Sequence, residues 1–228
     1  MIAALDRLLG LLFPSRCVGC GLRGVDLCPT CMAAIRPPDP ASCPRCGAHS
    51  KLGSLCPACR SYQGPLAGIR SACIYEGVAR RAIHAFKYRH RQTLARPLAL
   101  VLAREMGRRP LDLDMLVPVP LHPRRLAERG YNQSGLLARE LADLLGCMNL
   151  DLLERHKRTA SQAGLQAADR KANVRGAFRC KDGVDLSGHR IGLVDDVCTT
   201  GATMEDCARA LREAGAAIVW GIALARDL

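Results

Sequence analysis

Two sets of residues in this chain of 228 have the types and spacing that chemistry requires. The first set is a pair of adjacent carboxylates followed by a turn of hydroxyl-bearing and small residues: Asp195, Asp196, Thr199, Thr200, Gly201, Ala202 and Thr203. The second set is four Cys-x-x-Cys pairs, all of them before residue 60. The first set predicts a binding site for a phosphorylated sugar, and the second set predicts metal sites.

The carboxylate set lies between a short apolar run and a segment with helical periodicity. Residues 191–194 have the apolar character of a strand that is buried on both faces of a parallel sheet. The turn would present backbone N–H groups and threonine hydroxyls at a helix N-terminus, an arrangement that binds phosphate. Gly201 allows the backbone to approach a ligand closely there. Because carboxylates can accept hydrogen bonds from sugar hydroxyls, the sequence predicts a site for a ribose 5-phosphate.

Residues 190–203 (R-I-G-L-V-D-D-V-C-T-T-G-A-T) resemble the motif with which type I phosphoribosyltransferases bind 5-phosphoribosyl 1-pyrophosphate (PRPP). The resemblance implies an α/β fold in which helices flank a parallel sheet. It also implies that Asp195 and Asp196 are the catalytic pair that binds the ribose 2′- and 3′-hydroxyls. Residues 199–203 would then bind the 5-phosphate, and Mg²⁺ would bind together with PRPP. An ordinary turn between a strand and a helix, with a threonine as N-cap, is the alternative.

The cysteine pairs have the spacing of metal-binding turns: Cys17 and Cys20, Cys28 and Cys31, Cys43 and Cys46, Cys56 and Cys59. Two such turns can close a tetrahedral Cys₄ site, which leaves no open position for catalysis. This region has few large apolar residues, so metal binding would supply folding free energy. We expect two structural zinc ions in a double zinc ribbon, with sequential pairing as the default and an interleaved pairing still open. Redox-active cysteine pairs are the competing interpretation.

Composition limits the class of partner and the location. The chain has 33 Lys and Arg against 21 Asp and Glu, a net charge of +12, which indicates an anionic partner. One Trp, four Tyr and three Phe are few for a surface that stacks single-stranded nucleic acid. No apolar run is long enough to span a bilayer. Together with the cysteine spacing, this predicts a reducing, cytoplasmic setting.

The sequence divides into three expected regions. Periodicity predicts an amphipathic helix at residues 1–14, cysteine spacing predicts the double zinc ribbon at residues 15–62, and the resemblance implies a phosphoribosyltransferase domain at residues 68–228. In the third region we expect strands at residues 69–75, 113–119, 150–153, 176–180, 190–194 and 217–225, and helices at residues 77–88, 93–106, 132–145 and 203–214.

A cationic loop follows the expected strand at residues 113–119. Residues 117–125 read V-P-V-P-L-H-P-R-R, and residues 129–133 read R-G-Y-N-Q. We interpret the loop as the first βα turn of the sheet, at the edge where open α/β sheets bind ligands. It resembles the loop of amidophosphoribosyltransferases that binds the pyrophosphate of PRPP, which would assign that role to Arg124 and Arg129. A solvated basic loop is the alternative, since arginine is mostly exposed.

The polar segment at residues 155–173 is either a lid or an exposed helix with Leu165 docked. Several phosphoribosyltransferases carry a flexible loop in this place that closes over PRPP. As a lid, its working residues would be Arg158, Thr159, Gln162, Arg170 and Asn173. Cys198 also adjoins the phosphate turn, where a helix N-terminus lowers the pKa of a thiol, but a small buried residue is the more common role.

Four motifs in this order are similar to the competence protein ComF family: the cysteine pairs, the V-P-V-P to R-G-Y-N-Q stretch, the polar segment and the PRPP motif. The resemblance implies an amidophosphoribosyltransferase-like enzyme with a part in DNA uptake and natural transformation. A glutaminase half is absent, so synthesis of phosphoribosylamine from glutamine is not expected.

We therefore expect transfer of a phosphoribosyl group from PRPP to an acceptor that no residue identifies. A non-catalytic protein that senses PRPP or binds single-stranded DNA is the alternative. A partner in the competence machinery, such as a helicase, is neither supported nor excluded.

Overall fold

A computed structural model of the chain describes residues 15–50, 53–156 and 175–227. The expected helix at residues 1–14 lies outside these ranges, as do the lid candidates Arg158, Thr159, Gln162, Arg170 and Asn173. The strands are β1 (Gly68–Ile74), β2 (Met115–Pro118), β3 (Met148–Asn149), β4 (Leu153–Arg155), β5 (Phe178–Cys180), β6 (Arg190–Cys198) and β7 (Ile218–Arg226). The helices are α1 (Pro29–Ala33), α2 (Pro57–Arg60), α3 (Gly77–Tyr88), α4 (Ala95–Arg108), α5 (Pro123–Arg129), α6 (Gln133–Leu145) and α7 (Ala202–Glu213).

Five strands form one parallel sheet in the order β1-β7-β6-β2-β3. β4 and β5 form a separate antiparallel pair. Helices flank the parallel sheet on both faces, as expected for strands buried on both sides. Phe86 of α3, Leu98 of α4 and Leu137 of α6 pack on one face, and Leu211 of α7 packs on the other. This confirms the predicted α/β class with a parallel sheet flanked by helices.

Strand β6 is the centre of the sheet and carries the acidic pair. Ile191, Leu193 and Val194 have no solvent-exposed surface. The expected strand at residues 190–194 is too short, because β6 continues to Cys198 and pairs Asp195 with Ala223 of β7. The two carboxylates are thus held by the sheet and not by a loop.

The expected short strand at residues 150–153 is wrong, because β3 ends at Asn149 and β4 begins at Leu153. The cationic stretch after β2 is also not a continuous loop, since its second half forms α5. The imidazole Nδ1 of His122 accepts the backbone N–H of Arg124 at 3.2 Å, and Pro123 occupies the first turn. Gly130 ends the helix at φ 75°. This turn is the second βα connection of the sheet, because β1 and α3 precede it.

The cysteine-rich region packs against α3 and the outer edge of β1. The carbonyl oxygens of Arg45 and Arg36 accept the backbone N–H groups of Ile69 at 2.6 Å and Ile74 at 3.1 Å. These bonds cover an edge that would otherwise expose unpaired backbone groups. Arg81 of α3 donates to the carbonyl oxygen of Val18 at 3.2 Å. Within the described ranges, no helix is long and apolar enough to cross a membrane.

Candidate functional site

A cleft of about 1210 Å³ opens at the carboxyl ends of the parallel strands. Ligands of open α/β sheets bind at this edge, because the strand-to-helix turns and the helix N-termini meet there. The end of α3, the helix α5, the first turn of α6 and the β6–α7 turn supply its walls. All seven residues of the predicted carboxylate and turn set line this cleft, together with Arg124 and Arg129.

The acidic pair lies at the base of the cleft with a partner on each carboxylate. Ser134 of α6 donates its hydroxyl hydrogen to Asp195 Oδ1 at 2.9 Å. The backbone N–H of Asp196 donates to the same oxygen at 2.9 Å. Lys87, in the last turn of α3, places its Nζ 2.8 Å from Asp196 Oδ1. Two helices, α3 and α6, therefore each place a side chain against one carboxylate of the central strand.

Burial and a neighbouring negative charge disfavour the charged form of Asp195. Burial, followed by the negative charge of Asp196, raises the pKa of Asp195 to about 7, although Lys87 and Ser134 oppose the shift. Burial alone would lower the pKa of Lys87, but the charge and hydrogen bond of Asp196 raise it above its ordinary value. Lys87 is therefore an ammonium at neutral pH, and it compensates part of the negative charge of the pair.

The turn after β6 has the geometry of an anion-binding helix start. Gly201 precedes α7 at φ 81°, where a side chain would be strained. A Cβ at Gly201 would also lie 3.0 Å from Ile69 Cδ1. The hydroxyl of Thr200 accepts the backbone N–H of Ala202 at 3.3 Å. The N-terminal N–H groups of a twelve-residue helix thus open into the cleft beside the acidic pair.

The two arginines predicted to bind pyrophosphate differ in their surroundings. The Arg124 side chain is 84% exposed and its Nε lies 3.0 Å from Glu128 Oε1. The guanidinium of Arg129 lies over the Tyr88 ring, 4.8 Å from its centroid. Arg125 and Arg155 also line the cleft, although sequence reasoning did not select them. Burial, and then the nearby charge of Arg125, lowers the pKa of Arg155, so two cationic groups face one region of the cleft.

The R-G-Y-N-Q segment joins α5, α3 and α6 around the site. Tyr131 donates its hydroxyl hydrogen to the backbone carbonyl of Phe86. Asn132 caps α6 by accepting the N–H of Ser134 at 3.1 Å, and its Nδ2 donates to the Val119 carbonyl at 3.1 Å. Gln133 lines the cleft with 1% of its surface exposed. Its buried Nε2 has no hydrogen-bond partner in the part of the chain that the structure describes.

Lys87, Gln133 and Ser134 were missed as site residues, for different reasons. Lys87 lies in a helix that the sequence predicted, but no motif there indicated it as a site residue. Gln133 is the last residue of the R-G-Y-N-Q motif, which could have indicated it as a site residue. Ser134 follows it directly in the chain. Only the three-dimensional structure shows that Lys87 and Ser134 contact the acidic pair and that Gln133 lines the same cleft.

Cys198 is a buried residue and its thiol is not activated. It is 3% exposed, and burial raises the pKa of its thiol, while Arg226 Nη1 donates to Sγ at 3.0 Å. The expectation that the helix N-terminus lowers this pKa is therefore wrong, because desolvation is the larger effect. The interpretation as a small buried residue is the one that the structure supports.

The cysteine pairs form two clusters with sequential membership: Cys17, Cys20, Cys28 and Cys31, and Cys43, Cys46, Cys56 and Cys59. The sulfur atoms of Cys20 and Cys28 are 3.7 Å apart, as are those of Cys46 and Cys56. Four thiolates around a tetrahedral zinc ion at about 2.3 Å would lie about 3.8 Å apart, so both clusters fit zinc.

Backbone donors prepare one of these thiolates for metal. Burial alone would raise the pKa of Cys17, but N–H groups of Cys28, Cys20 and Gly19 lower it to about 6. Two of those groups, from Cys28 and Gly19, lie 3.4 Å from its Sγ.

Comparisons with known proteins agree with both halves of the structure. The family model described as a double zinc ribbon domain matches residues 8–60, and the one described as a phosphoribosyl transferase domain matches residues 131–227. The chain is 36% identical over 209 residues to the DNA utilization protein YhgH of Salmonella typhimurium, which covers 89% of this chain and 91% of that protein. It is 38% identical over 152 residues to competence protein F of Haemophilus influenzae, which covers 63% and 66% of the two chains.

Among solved structures, the glutamine PRPP amidotransferase of B. subtilis, complexed with ADP and GMP, aligns with 58% of this chain and 26% of its own, at 26% identity and a TM-score of 0.39. The sheet, its cleft and the two Cys₄ clusters define a type I phosphoribosyltransferase fold that follows a double zinc ribbon. The chain belongs to the ComF family, whose members include competence proteins and DNA utilization proteins.

Proposed function

We propose that this protein binds PRPP and transfers its phosphoribosyl group to an acceptor as part of DNA utilization. The observation that carries the proposal is the position of Asp195 and Asp196, which lie in one cleft with the helix N-terminus at Gly201. A diol-binding pair beside a phosphate-binding turn matches a ribose 5-phosphate. The names of the relatives, which refer to competence and to DNA utilization, support the cellular role.

In this proposal each wall of the cleft binds one part of PRPP. Asp195 and Asp196 accept hydrogen bonds from the ribose hydroxyls, and residues 199–203 donate to the 5-phosphate. Arg124 and Arg129 contact the pyrophosphate, and the positions of Arg125 and Arg155 favour a contribution from them as well. The lid candidates Arg158, Gln162 and Arg170 would exclude water from the reacting carbon.

The residues at the acidic pair fit a magnesium ion that arrives with the substrate. Mg²⁺ usually binds through one or two carboxylates together with substrate phosphates, and Asp195 and Asp196 offer such carboxylates in the cleft. When bound, Mg²⁺ neutralises the charge of the leaving pyrophosphate. The bond between ribose C1 and the pyrophosphate oxygen breaks, its electron pair leaves with the pyrophosphate, and the acceptor supplies the pair for the new bond.

The remaining parts of the proposal concern setting and partners. Eight cysteines grouped in two Cys₄ metal sites, and not in disulfides, favour a reducing compartment and hence a cytoplasmic location. The net charge of +12 is consistent with single-stranded DNA as a further partner. A helicase or another component of the competence machinery remains a candidate partner.

Calorimetry with PRPP and Mg²⁺ tests the binding step. We expect the wild-type protein to bind, and Asp195→Ala and Thr200→Ala to lose at least about tenfold in affinity, because each loses a direct ligand contact. Asp151→Ala and Thr93→Ala are matched controls at exposed positions outside the cleft, and they should bind like wild type. Absence of binding by the wild-type protein would refute the proposal.

Release of pyrophosphate in the presence of nucleobases or amines tests the transfer step, with Asp196→Ala as the inactive control. Pyrophosphate release that depends on both Asp196 and the acceptor supports the proposal that the protein is an enzyme. Binding of PRPP without any release would instead support the second candidate, a protein that senses PRPP without turnover.

A further inference from the structure

A second cavity, of about 20 Å³, lies where the cysteine-rich region meets the sheet. Its lining includes Cys43 of the second cluster, Arg70 and Ser71 of β1, Glu105 of α4 and Arg226 of β7. Among the residues that the structure describes, none lines both this cavity and the cleft at the carboxyl ends of the strands. The cavity is therefore a separate feature, at the joint between the two parts of the chain.

Buried hydrogen-bond donors without partners are concentrated in this lining. Nε of Arg70, Oγ of Ser71 and Nε of Arg226 are buried and have no hydrogen-bond partner within residues 15–50, 53–156 and 175–227. Arg70 is 9% exposed and Ser71 is 5% exposed. Buried polar groups almost always have a partner, because an unpaired one lowers stability. Three such donors around one cavity indicate a site for a hydrogen-bond acceptor.

The charges around the cavity favour an acceptor that is negatively charged. Three guanidinium groups line it, those of Arg70, Arg109 and Arg226, whereas Glu105 is the one carboxylate of the lining. Arg45 lies beside the cavity in the second cluster, and its guanidinium donates to backbone carbonyl oxygens, which are neutral. Even when the net negative charge of four thiolates around Zn²⁺ is counted, positive charge remains in excess. An anion would offset this excess, and a water molecule would not.

The size of the cavity limits the anion. A water molecule needs about 10–15 Å³, so a cavity of about 20 Å³ holds one particle of similar size. A phosphate or carboxylate group has several non-hydrogen atoms and is too large. A halide ion is a single atom that is only slightly larger than water, and chloride is the abundant halide in cells.

The geometry points to this cavity as a binding site for one small inorganic anion, with chloride as the physiological ligand. On this inference Arg70, Ser71 and Arg226 donate hydrogen bonds to the anion, and such charge-assisted bonds are stronger than neutral ones. Because β1, β7 and the second cysteine cluster all line the cavity, the bound anion joins the cysteine-rich region to the sheet. The inference does not depend on the proposed function.

Thermal unfolding of the full-length, zinc-loaded protein in sodium chloride and in sodium gluconate, at equal ionic strength, tests the inference. Gluconate is too large for the cavity, and a ligand that binds only the folded protein raises its Tm. We expect the wild-type Tm to be higher in chloride by at least about 2 °C. Arg70→Met should lose most of this difference, because it removes a donor and a charge. An equal wild-type Tm in both salts would overturn the inference.

Ser71→Ala distinguishes an anion site from a hydroxyl that binds nothing or binds water. Removal of an unused buried hydroxyl leaves the Tm unchanged or raises it in both salts. Removal of a hydroxyl that binds water lowers the Tm equally in both salts. Only an anion ligand predicts a variant whose Tm falls below that of wild type in chloride and does not fall in gluconate.

Arg104→Met is the matched control for charge. It removes an exposed guanidinium from the same helix, α4, at a position that lines neither the cavity nor the cleft. The control should keep the wild-type difference in Tm between the two salts. If Arg70→Met also keeps that difference, the effect of chloride is a general salt effect and the inference fails. Zinc analysis of each variant establishes that both metal sites are loaded.

Chloride-35 magnetic resonance gives a measurement that does not depend on stability. Excess inorganic phosphate is present throughout, because it is too large for the cavity and competes with chloride in the cleft and on the surface. Wild type and Arg104→Met should broaden the chloride signal by at least about twofold more than Arg70→Met does. Bromide, a halide of similar size, should remove this additional broadening. Equal broadening by all three proteins would show that chloride binds only adventitiously, and the assignment would be wrong.

Discussion

Tyr131 donates its hydroxyl hydrogen to the backbone carbonyl oxygen of Phe86, the residue directly before Lys87. Tyr131 is 7% exposed, and the centroids of the two rings are 5.8 Å apart. The contact ties the last turn of α3 to the segment that starts α6. It therefore fixes Lys87 relative to Asp196, although Tyr131 does not itself line the cleft.

Tyr131→Phe should weaken both the fold and the site. Loss of one buried hydrogen bond lowers the free energy of unfolding by about 1 kcal/mol. We also expect weaker binding of PRPP and Mg²⁺, because the turn that carries Lys87 loses a fixed contact. Urea denaturation and calorimetry measure the two effects.

Tyr62→Phe is the matched control, since the Tyr62 hydroxyl accepts the N–H of Leu66 at 3.3 Å outside the cleft. Tyr62→Phe should lower the free energy of unfolding by a similar amount and leave the affinity for PRPP and Mg²⁺ unchanged. If Tyr131→Phe binds ligand like wild type, the contact serves stability alone.

The raised pKa of Asp195 predicts a pH dependence of stability. The side chain has a pKa of about 7 in the folded protein, against 3.8 for the ordinary group, because burial and Asp196 disfavour its charge. Between these values the folded protein keeps a proton that the unfolded chain has released. The contribution of Asp195 to the free energy of unfolding therefore falls as the pH rises from about 4 to about 7, and is constant above that range.

Urea denaturation of wild type and Asp195→Asn across this pH range measures the effect of Asp195 and its charged neighbours, because titrating groups that do not interact with Asp195 cancel in the difference. We expect wild type to lose stability relative to the variant as the pH rises. A difference that is flat, or that changes in the opposite direction, would show that Asp195 titrates at an ordinary pKa.

Local signals predicted much of the fold, while the site needed long-range packing. Helix α3 was predicted with the bounds that the structure has, since its apolar periodicity is strong. β6 was cut short at Val194 because two polar residues obscure a strand that is defined by its neighbours in the sheet. The contact of Lys87 with Asp196 joins residues more than a hundred positions apart. No local pattern in the sequence encodes such a contact.

Some of the errors could have been avoided from the sequence. A proline at position 123, a capping imidazole before it and a glycine at position 130 are helix start and stop signals that define α5. The interpretation of this stretch as a cationic loop gave the prolines and arginines too much weight. By contrast, sequential pairing of the cysteines was the default expectation, and the two cysteine clusters of the structure have this membership.

Zinc content in paired cysteine variants tests the sequential grouping. Cys20 and Cys28 belong to one cluster, so the double variant Cys20→Ser, Cys28→Ser should retain about one of two zinc ions per chain. Cys20 and Cys43 belong to different clusters, so Cys20→Ser, Cys43→Ser should lose both ions. An interleaved pairing predicts the reverse pattern, so elemental analysis of the two variants decides between them. Cys147→Ser, outside both clusters, should retain two ions.

Gln133 should affect ligand binding and stability in opposite directions. Its Nε2 is buried without a partner in the described part of the chain, an arrangement that costs about 1–3 kcal/mol. Gln133→Met keeps the approximate size of the side chain and removes this cost, so we expect the free energy of unfolding to rise by about 1 kcal/mol. If the amide donates to a bound ligand, the affinity for PRPP and Mg²⁺ falls by about three- to tenfold.

Gln92→Met is the control, because Gln92 is exposed outside the cleft and its replacement should change neither quantity beyond about 0.5 kcal/mol. Urea denaturation and calorimetry on the same preparations measure both effects. A Gln133→Met protein that is more stable and binds with wild-type affinity would exclude the amide from the ligand site. One that is both less stable and weaker in binding would show that the amide has a structural partner. Only higher stability together with weaker binding is the result expected of a polar group that is kept buried for a ligand.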